Sequence, residues 1–477
     1  MGFSRREFLN KGLLGVGATI YSSNSWASAT TKLFFKNDEP NIIIELTAKQ
    51  NLIDIGNGLK TKFWSYTGKL IKGPKNTLQT INGSYLGPTI EVKSGDKVRI
   101  IFKNELSESS IIHWHGLDVS HENDGHPHNA IGTDQTYQYD FVVENRAGTY
   151  WYHPHPHGRT GFQVYHGLAG LFVVRDKEEE KLNLPSADQE LNLVFQDRYF
   201  NEEGQLEYRR SMMGAFGNKL FINGTSQKKF NVKQGLYRIR LLNGCNARIF
   251  NIAINNGQEI TQIGSDGGLL DRINKLDRFY FAPAERFEFL LDFSKFLPGD
   301  IIKIESLPLV EGRGTKYTIM EFEVSDEVGV VFKEPLKLSN YTKIDPNEAI
   351  NLNSPKVFEL IPKRGVGWTI NGNGYEADSY EKYEIIKFGN TEVWEFYNPT
   401  GMPHPMHIHG TQFQVLKRNS GQLQGCLDHG WKDTVLVLPG DRVQVIKRFN
   451  TYKGTFLYHC HNLEHEDMSM MRNFKIE

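Results

Sequence analysis

Residues 459–471 read HCHNLEHEDMSMM, and this stretch sets the interpretation of the whole chain. Cys460 lies between two histidines, a third histidine follows five residues later, and a methionine follows ten residues later. Two imidazoles, one thiolate and a distant axial thioether are the donors of an electron-transfer copper site. Because neighbouring side chains on a strand point to opposite faces, the histidines on either side of Cys460 are predicted to face a second centre.

A buried core cysteine with some surface histidines is the alternative, since free cysteine packs well as a small hydrophobe. Three further His-x-His pairs argue against it: His113 and His115, His153 and His155, His407 and His409. Alternate residues on a strand share a face, so each pair can aim two imidazoles at one point. No ring of carboxylates accompanies them, as calcium or magnesium would require, and a zinc site closes with four ligands. The pattern therefore predicts several copper ions.

Length and composition are those of a globular protein. The chain has 477 residues, 39% hydrophobic residues and a formal net charge of -1, which predicts two to four domains and gives no reason to expect nucleic acid as a partner. Three cysteines do not make a disulfide framework, and whether Cys245 and Cys426 pair stays open at this point.

The first 29 residues have the order of a secretory signal: charged residues, a short apolar run and small residues. The pair Arg5 and Arg6 makes it resemble a twin-arginine signal, which exports folded proteins. No later stretch reaches the roughly 18 apolar residues of a membrane span. We therefore expect export by the twin-arginine machinery, a periplasmic monomer beginning near Thr30, and no membrane span in the mature chain.

From about residue 40 the sequence is rich in strand-forming residues between Gly, Asn and Asp, which predicts antiparallel β-sandwiches. An Ile-Asn-Gly motif followed by strand, glycine turn and strand occurs three times, beginning at Ile81, Ile222 and Ile370. Linkers are expected near residues 177–181 and 334–345. Nine of the 16 histidines lie within 113–166 and the other seven within 404–465. The middle domain is therefore predicted to be a spacer that lets the outer two meet.

Together the four histidine-containing segments resemble the copper motifs of the multicopper oxidases, and the resemblance covers essentially the whole mature chain. With the signal, the chain looks most like the bacterial periplasmic copper-efflux oxidase (CueO-like) and laccase-like branch. The resemblance implies an all-β fold of three consecutive cupredoxin-like Greek-key β-sandwich domains. They would occupy residues 30–180, 181–338 and 339–477 after a signal peptide at 1–29, with a trinuclear copper cluster between the first and third.

The resemblance also implies four copper ions: one type 1, one type 2 and two type 3. Matched residue by residue, type 1 copper would take His404, Cys460, His465 and axial Met470. Type 2 copper would take His113 and His407. The type 3 pair would take His115, His153, His155, His409, His459 and His461. His157 lies one step beyond its matching pair and is expected to be outside the ligand set.

In such enzymes a donor gives single electrons to type 1 copper, and four electrons reduce dioxygen, the co-substrate, to two waters. The entry point expected here is the exposed edge of His404 or His465. Asp124 and Glu466 match positions that supply protons in relatives. The alternative for each is a solvated surface acid.

The donor could be Cu(I), Fe(II) or a phenol. The Met-rich insertion of efflux oxidases is absent, since residues 321–401 contain no methionine, although Met402, Met406 and Met468 could form a small soft patch. A laccase acting mainly on phenols is therefore a close alternative. A cell-division scaffold protein of the same fold without copper ligands is a remote one, and a two-domain nitrite reductase is disfavoured by the three repeats.

Overall fold

A computed structural model describes residues 39–56, 58, 60–310, 314–335, 337–419 and 425–477. The predicted signal peptide, residues 1–29, lies outside the described residues. Within them, the strands form six sheets, which confirms the all-β prediction. No helix in these ranges is both long and apolar enough to cross a membrane.

The first third of the described chain holds two sheets, with strand orders β2-β1-β5-β7 and β3-β4-β9-β8-β6. Buried side chains such as Ile100, Trp114 and Phe172 form one core. The elements are β1 (Ile42–Asp54), β2 (Lys60–Lys72), β3 (Leu78–Gln79), β4 (Thr89–Lys93), β5 (Lys97–Asn104), β6 (Ile112–His115), β7 (Gln135–Val142), β8 (Gly148–Pro154), α1 (Thr160–Tyr165), β9 (Gly170–Arg175) and α2 (Lys177–Glu180).

The middle third has the sheet orders β11-β10-β13-β18-β15-β16 and β12-β20-β19-β14-β17 around a second core that is rich in phenylalanine. The elements are β10 (Glu190–Arg198), β11 (Lys219–Ile222), β12 (Lys229–Gln234), β13 (Leu236–Asn243), β14 (Phe250–Ile254), β15 (Ile260–Ser265), β16 (Gly268–Leu276), β17 (Arg278–Phe281), β18 (Arg286–Asp292), β19 (Ile301–Ser306) and β20 (Tyr317–Val328).

The last third has the orders β22-β21-β24-β28-β26 and β23-β30-β29-β25-β27, and its core includes Cys460 and Met470. The elements are β21 (Lys356–Lys363), β22 (Gly367–Ile370), β23 (Ile385–Ile386), β24 (Thr391–Tyr397), β25 (His404–Ile408), β26 (Phe413–Arg418), β27 (Thr434–Val437), β28 (Arg442–Arg448), β29 (Gly454–Cys460), α3 (Leu463–Asp467) and β30 (Met471–Ile476).

The three sequence repeats have the same strand pairing. In each third the strand before the turn pairs in parallel with the last strand of that third: β4 with β9, β12 with β20, β23 with β30. The strand after the turn pairs in parallel with the first strand: β5 with β1, β13 with β10, β24 with β21. In the first and third copies the turn glycines, Gly95 and Gly389, have φ of +92° and +90°, a region that favours glycine.

Strand register brings the histidines together. His113 on β6 lies opposite His153 on β8, and His407 on β25 lies opposite His459 on β29. The same register places Met406 opposite Cys460. Since alternate residues share a face, the whole His-x-His set is directed to one side of each strand pair.

Candidate metal centre

The sulfur cluster consists of His404, Cys460 and His465, all fully buried. The two Nδ1 atoms are 3.1 Å apart, and Cys460 Sγ lies 3.6 Å from Nδ1 of His404 and 3.7 Å from Nδ1 of His465. Donors bound to one ion at about 2.0–2.3 Å, as N and S are on zinc, lie about 3.5 Å from each other. The triangle therefore has the size and the donor types of a site for one soft or borderline metal ion.

Burial makes these donors neutral before a metal binds. It lowers the pKa of His465 to about 3 and holds the pKa of His404 well below its ordinary value, so both imidazoles keep a free lone pair. Burial raises the pKa of the Cys460 thiol, so the thiolate form needs a nearby cation. A metal ion in the triangle would supply that charge.

The chain after Cys460 turns back on itself to complete the sulfur cluster. Asn462 caps the short helix α3 by accepting the backbone N–H of His465 at 3.4 Å, which directs that ring toward Cys460. The N–H of Met470 then donates to the His465 carbonyl at 2.9 Å, and its own carbonyl accepts from Cys460 N–H at 3.0 Å. Buried Met470 is thus held beside the cluster through its backbone.

The expected exposed histidine edge is absent, because His404 and His465, the two histidines predicted for type 1 copper, are 0% exposed in the structure. A loop of the middle third covers His465, whose Nε2–H donates to the carbonyl of Met212 at 3.0 Å. Trp368 Nε1–H donates to the same carbonyl at 3.0 Å, and its ring centre lies 4.6 Å from that of His465. Met212 and Met213 are 47% and 57% exposed, so these two residues form the outer surface at this point.

The histidine cluster gathers eight buried imidazoles from the first and last thirds. They are His113, His115, His153, His155, His407, His409, His459 and His461. Four come from the first third and four from the last, so the site exists only where the first and last thirds meet.

Distances between ring nitrogens divide this cluster into smaller groups. Nε2 of His113 and Nε2 of His407, the predicted type 2 pair, are 3.4 Å apart. Nε2 of His459 lies 3.3 Å from Nε2 of His155 and 3.1 Å from Nε2 of His409.

The remaining three histidines form another group. Nδ1 of His115 lies 3.4 Å from Nε2 of His153, and the ring of His461 is centred 5.0 and 5.2 Å from these two rings. Among the described residues, neither nitrogen of His461 has a hydrogen-bond partner. A buried imidazole without a partner is costly unless a ligand binds it, so this orphaned ring fits a metal site.

In several rings of the cluster the nitrogen that faces away from the other histidines is held by the protein, which orients the remaining nitrogen inward. Asp124 serves two rings: its backbone carbonyl accepts from His113 Nδ1 at 2.6 Å and its carboxylate from His409 Nδ1 at 2.7 Å. The Pro154 carbonyl accepts from His153 Nδ1 at 2.9 Å. These partners fix tautomers in which Nε2 is free to bind an ion.

Comparison with known proteins identifies the family. Two protein-family models, both described as Multicopper oxidase, match residues 65–179 and 349–477. The chain is 36% identical over 437 residues to multicopper oxidase mco of Staphylococcus haemolyticus, a match that covers 88% of this chain and 89% of the relative. The chain belongs to the multicopper oxidase family.

Other relatives agree with this membership. The laccase of Bacillus subtilis is 30% identical, with 84% of this chain and 91% of the relative covered. The crystal structure of the McoA multicopper oxidase of Aquifex aeolicus superposes with a TM-score of 0.82 at 34% identity, covering 92% of this chain and 97% of that one. The predicted cupredoxin-like fold is therefore confirmed. Cell division protein FtsP of Proteus mirabilis is also similar, 28% identical with 100% of this chain and 99% of the relative covered.

The two predicted acids both border the histidine cluster of this multicopper oxidase. Asp124 is 0% exposed, its Oδ1 has no hydrogen-bond partner in the described ranges, and burial raises its pKa well above the ordinary value. Glu466 on α3 lies 3.1 Å from His459 Nδ1 and 3.7 Å from His155 Nε2. Neither is a solvated surface acid, so that alternative is wrong for both.

Several residues of the site could not be recognised from the sequence. Asp433 contacts His115 and His407 but belongs to none of the histidine segments. The only local signal was a polar Lys432-Asp433-Thr434 run entering the apolar strand β27. The Met212 carbonyl and Trp368 were missed because a backbone group and a lone aromatic residue have no distinctive spacing.

The remaining histidines lie outside both clusters. His157 is exposed and packs against Tyr375. His126 contacts Asn473, and His166 packs against Phe162. Met406 is fully buried in the third core and is therefore core filling, with no place in an exposed soft patch.

Proposed function

We propose that this multicopper oxidase couples four one-electron oxidations of a small reducing substrate to the reduction of dioxygen to two waters. The observation that carries the proposal is the gathering of the predicted histidines and Cys460 into two buried clusters joined by consecutive residues. We assign the ligands of the four copper ions as the sequence predicted them. The proposed domains are likewise residues 30–180, 181–338 and 339–477.

The geometry further supports a division of the six proposed type 3 ligands into two groups of three. One group would be His155, His409 and His459, and the other would be His115, His153 and His461. Bound copper would supply one-electron acceptance at the sulfur cluster and dioxygen reduction at the histidine cluster. Cys460 provides the connection, since the residues directly before and after it belong to the histidine cluster.

Reduction of dioxygen to two waters consumes four protons, and Asp124 and Glu466 are the proposed donors. Both are buried carboxyl groups in contact with cluster histidines. Asp124 has a free carboxyl oxygen, which leaves it able to hold and pass a proton while its other oxygen fixes His409.

The substrate is proposed to meet the protein over the Met212 carbonyl, because that carbonyl covers the edge of His465. Exposed thioethers of Met212 and Met213 favour Cu(I), whereas an aromatic donor could approach the neighbouring Trp368. Cu(I), Fe(II) and phenols therefore all remain candidates. We also propose a periplasmic monomer, exported by the twin-arginine machinery, with a role in copper or other metal tolerance.

Dioxygen consumption by the copper-loaded mature protein tests the proposal, with Cu(I), Fe(II) and a methoxyphenol offered in parallel and the Cys460→Ser variant as control. Selective turnover of Cu(I) supports metal tolerance, and preference for the phenol supports a laccase. If protein shown to hold copper consumes no dioxygen with any of the donors, the proposed oxidase activity is wrong. A scaffold role would then be the better explanation, as the similarity to a protein named for cell division suggests.

A further inference from the structure

Arg286, the first residue of β18 in the middle third, is fully buried, and every N–H of its guanidinium group donates a hydrogen bond. The backbone carbonyls of Thr149, Ala284 and Asp266 accept at 3.0, 2.9 and 3.0 Å. The remaining two N–H groups donate to both carboxylate oxygens of Asp433. The acceptors come from all three thirds, so the planar group has one orientation and a bidentate ion pair with Asp433.

Asp433 in turn holds two histidines of the histidine cluster. Its Oδ1 accepts from His115 Nε2–H at 3.0 Å, and its backbone carbonyl accepts from His407 Nδ1–H at 2.7 Å. A neutral imidazole has one N–H, so these bonds leave Nδ1 of His115 and Nε2 of His407 free. The free nitrogens face the other cluster histidines, and the two rings stack with centres 3.7 Å apart.

We propose that Arg286 is a positioning residue of the histidine cluster. By holding the Asp433 carboxylate, it determines which imidazole nitrogen His115 presents to copper. Because the His115 ring stacks on the ring of His407, a proposed type 2 ligand, it also fixes the surroundings of type 2 copper. The inference rests on the proposed function, because it takes these histidines as copper ligands. Without the guanidinium group the carboxylate would lose its bidentate partner and could turn away from His115. The middle third would then do more than separate its neighbours.

Arg240 offers a matched control for the general cost of losing a buried arginine. It lies on β13 of the same third, is also fully buried, and donates to Glu190 at 2.5 Å, Glu179 at 2.8 Å and Thr149 at 3.0 Å. It also pairs with Glu288. Among the described residues, none of these partners hydrogen-bonds to a cluster histidine, whereas Asp433, the partner of Arg286, bonds to two. Its replacement should therefore cost stability without altering the ligands.

The experiment compares Arg286→Gln with Arg240→Gln as copper-loaded full-length mature proteins. We expect Arg286→Gln to change the electron paramagnetic resonance spectrum of type 2 copper and to lower dioxygen turnover about 10- to 100-fold, the usual effect of losing a partner that orients a metal ligand. Its blue absorbance and its anaerobic reduction by the donor should match the wild type. Arg240→Gln should keep both spectra unchanged.

Two further variants keep the inference falsifiable. Arg286→Lys retains the positive charge but cannot make the bidentate ion pair with Asp433. Its type 2 spectrum should be intermediate between those of the wild type and Arg286→Gln. Asp433→Asn should reproduce the altered type 2 spectrum even where Arg286→Gln fails to fold. The inference would be overturned if the type 2 spectrum were unchanged in the variants that fold, or if Arg240→Gln changed it in the same way. Loss of the type 1 and type 2 copper signals together would also overturn it. A wild-type protein without a type 2 signal would instead contradict the proposed function.

Discussion

Cys460 belongs to one cluster by its sulfur and to the other by its two neighbours. We therefore expect Cys460→Ser to lose the blue colour and the oxidase activity, because the hydroxyl is a poor substitute for a thiolate on copper. The histidine cluster should keep its copper, since none of its ligands is changed. Visible absorbance and copper content measure the two effects. A blue and active Cys460→Ser variant would refute the type 1 assignment.

Gly125 follows Asp124 and has φ of +78°; a methyl group there would lie 2.0 Å from the backbone oxygen of Ile112. Gly158 also has a positive φ, +67°, but open space around it. Gly158→Ala should lower the free energy of unfolding by about 1–2 kcal/mol through the left-handed backbone alone. Gly125→Ala should lower it by more, because the clash adds to the same backbone cost.

Urea denaturation of the copper-free Gly125→Ala and Gly158→Ala variants measures how much each substitution lowers the free energy of unfolding. Equal losses in the two variants would show that the backbone beside Asp124 can shift without cost. That result would also weaken the view that Asp124 is held rigidly between His113 and His409.

At the scale of elements, the loop before β11 carries the surface over the sulfur cluster. Replacing both Met212 and Met213 with leucine removes two exposed thioethers and keeps the apolar volume. If Cu(I) is the donor, kcat/KM for Cu(I) should fall about tenfold while kcat/KM for a methoxyphenol stays the same, because only the soft ion loses a ligand. Parallel steady-state kinetics provide the measurement.

Met402→Leu is the matched comparison, since Met402 is partly buried against the third core on the His404 side. A larger effect there than in the Met212 and Met213 variant would move the entry point to that side. No effect on Cu(I) oxidation in either variant would count against thioether binding of the donor.

Strand alternation made much of this site predictable. His113 and His115 share a face of β6, and His459 and Cys460 point to different clusters from β29, both from local geometry alone. The covered edge of His465 was not predictable, because its cover is a backbone carbonyl some 250 residues away in sequence. The expectation of an exposed edge was wrong for that reason.

The same limit applies to the whole molecule. The Ile-Asn-Gly repeats predicted three similar units because each copy has the same local order of strand, turn and strand. The contact between Arg286 and Asp433 joins residues 147 positions apart and has no repeated pattern. The interpretation of the middle unit as a spacer followed from its lack of histidine, which says nothing about arginine or backbone groups.

The distribution of ligands between thirds predicts how copper stabilises the whole molecule. The three donors of the sulfur cluster all come from the last third, whereas the histidine cluster joins the first and last thirds. An ion bound only by the native state stabilises it by about 4 kcal/mol at a thousandfold excess over its Kd. Ions in the histidine cluster should therefore also hold the first and last thirds together, while the proposed type 1 ion acts within the last third alone.

We accordingly expect the rise in Tm on copper loading to be smaller in His115→Ala than in Cys460→Ser. Calorimetry of each variant with and without copper measures the rise against its own copper-free form, so the cost of the substitution itself cancels. His157→Ala, at an exposed histidine outside both clusters, should behave as the wild type. If the rise in Tm were smaller in Cys460→Ser than in His115→Ala, copper would stabilise the protein chiefly within its last third. The bridging role of the histidine cluster would then be wrong.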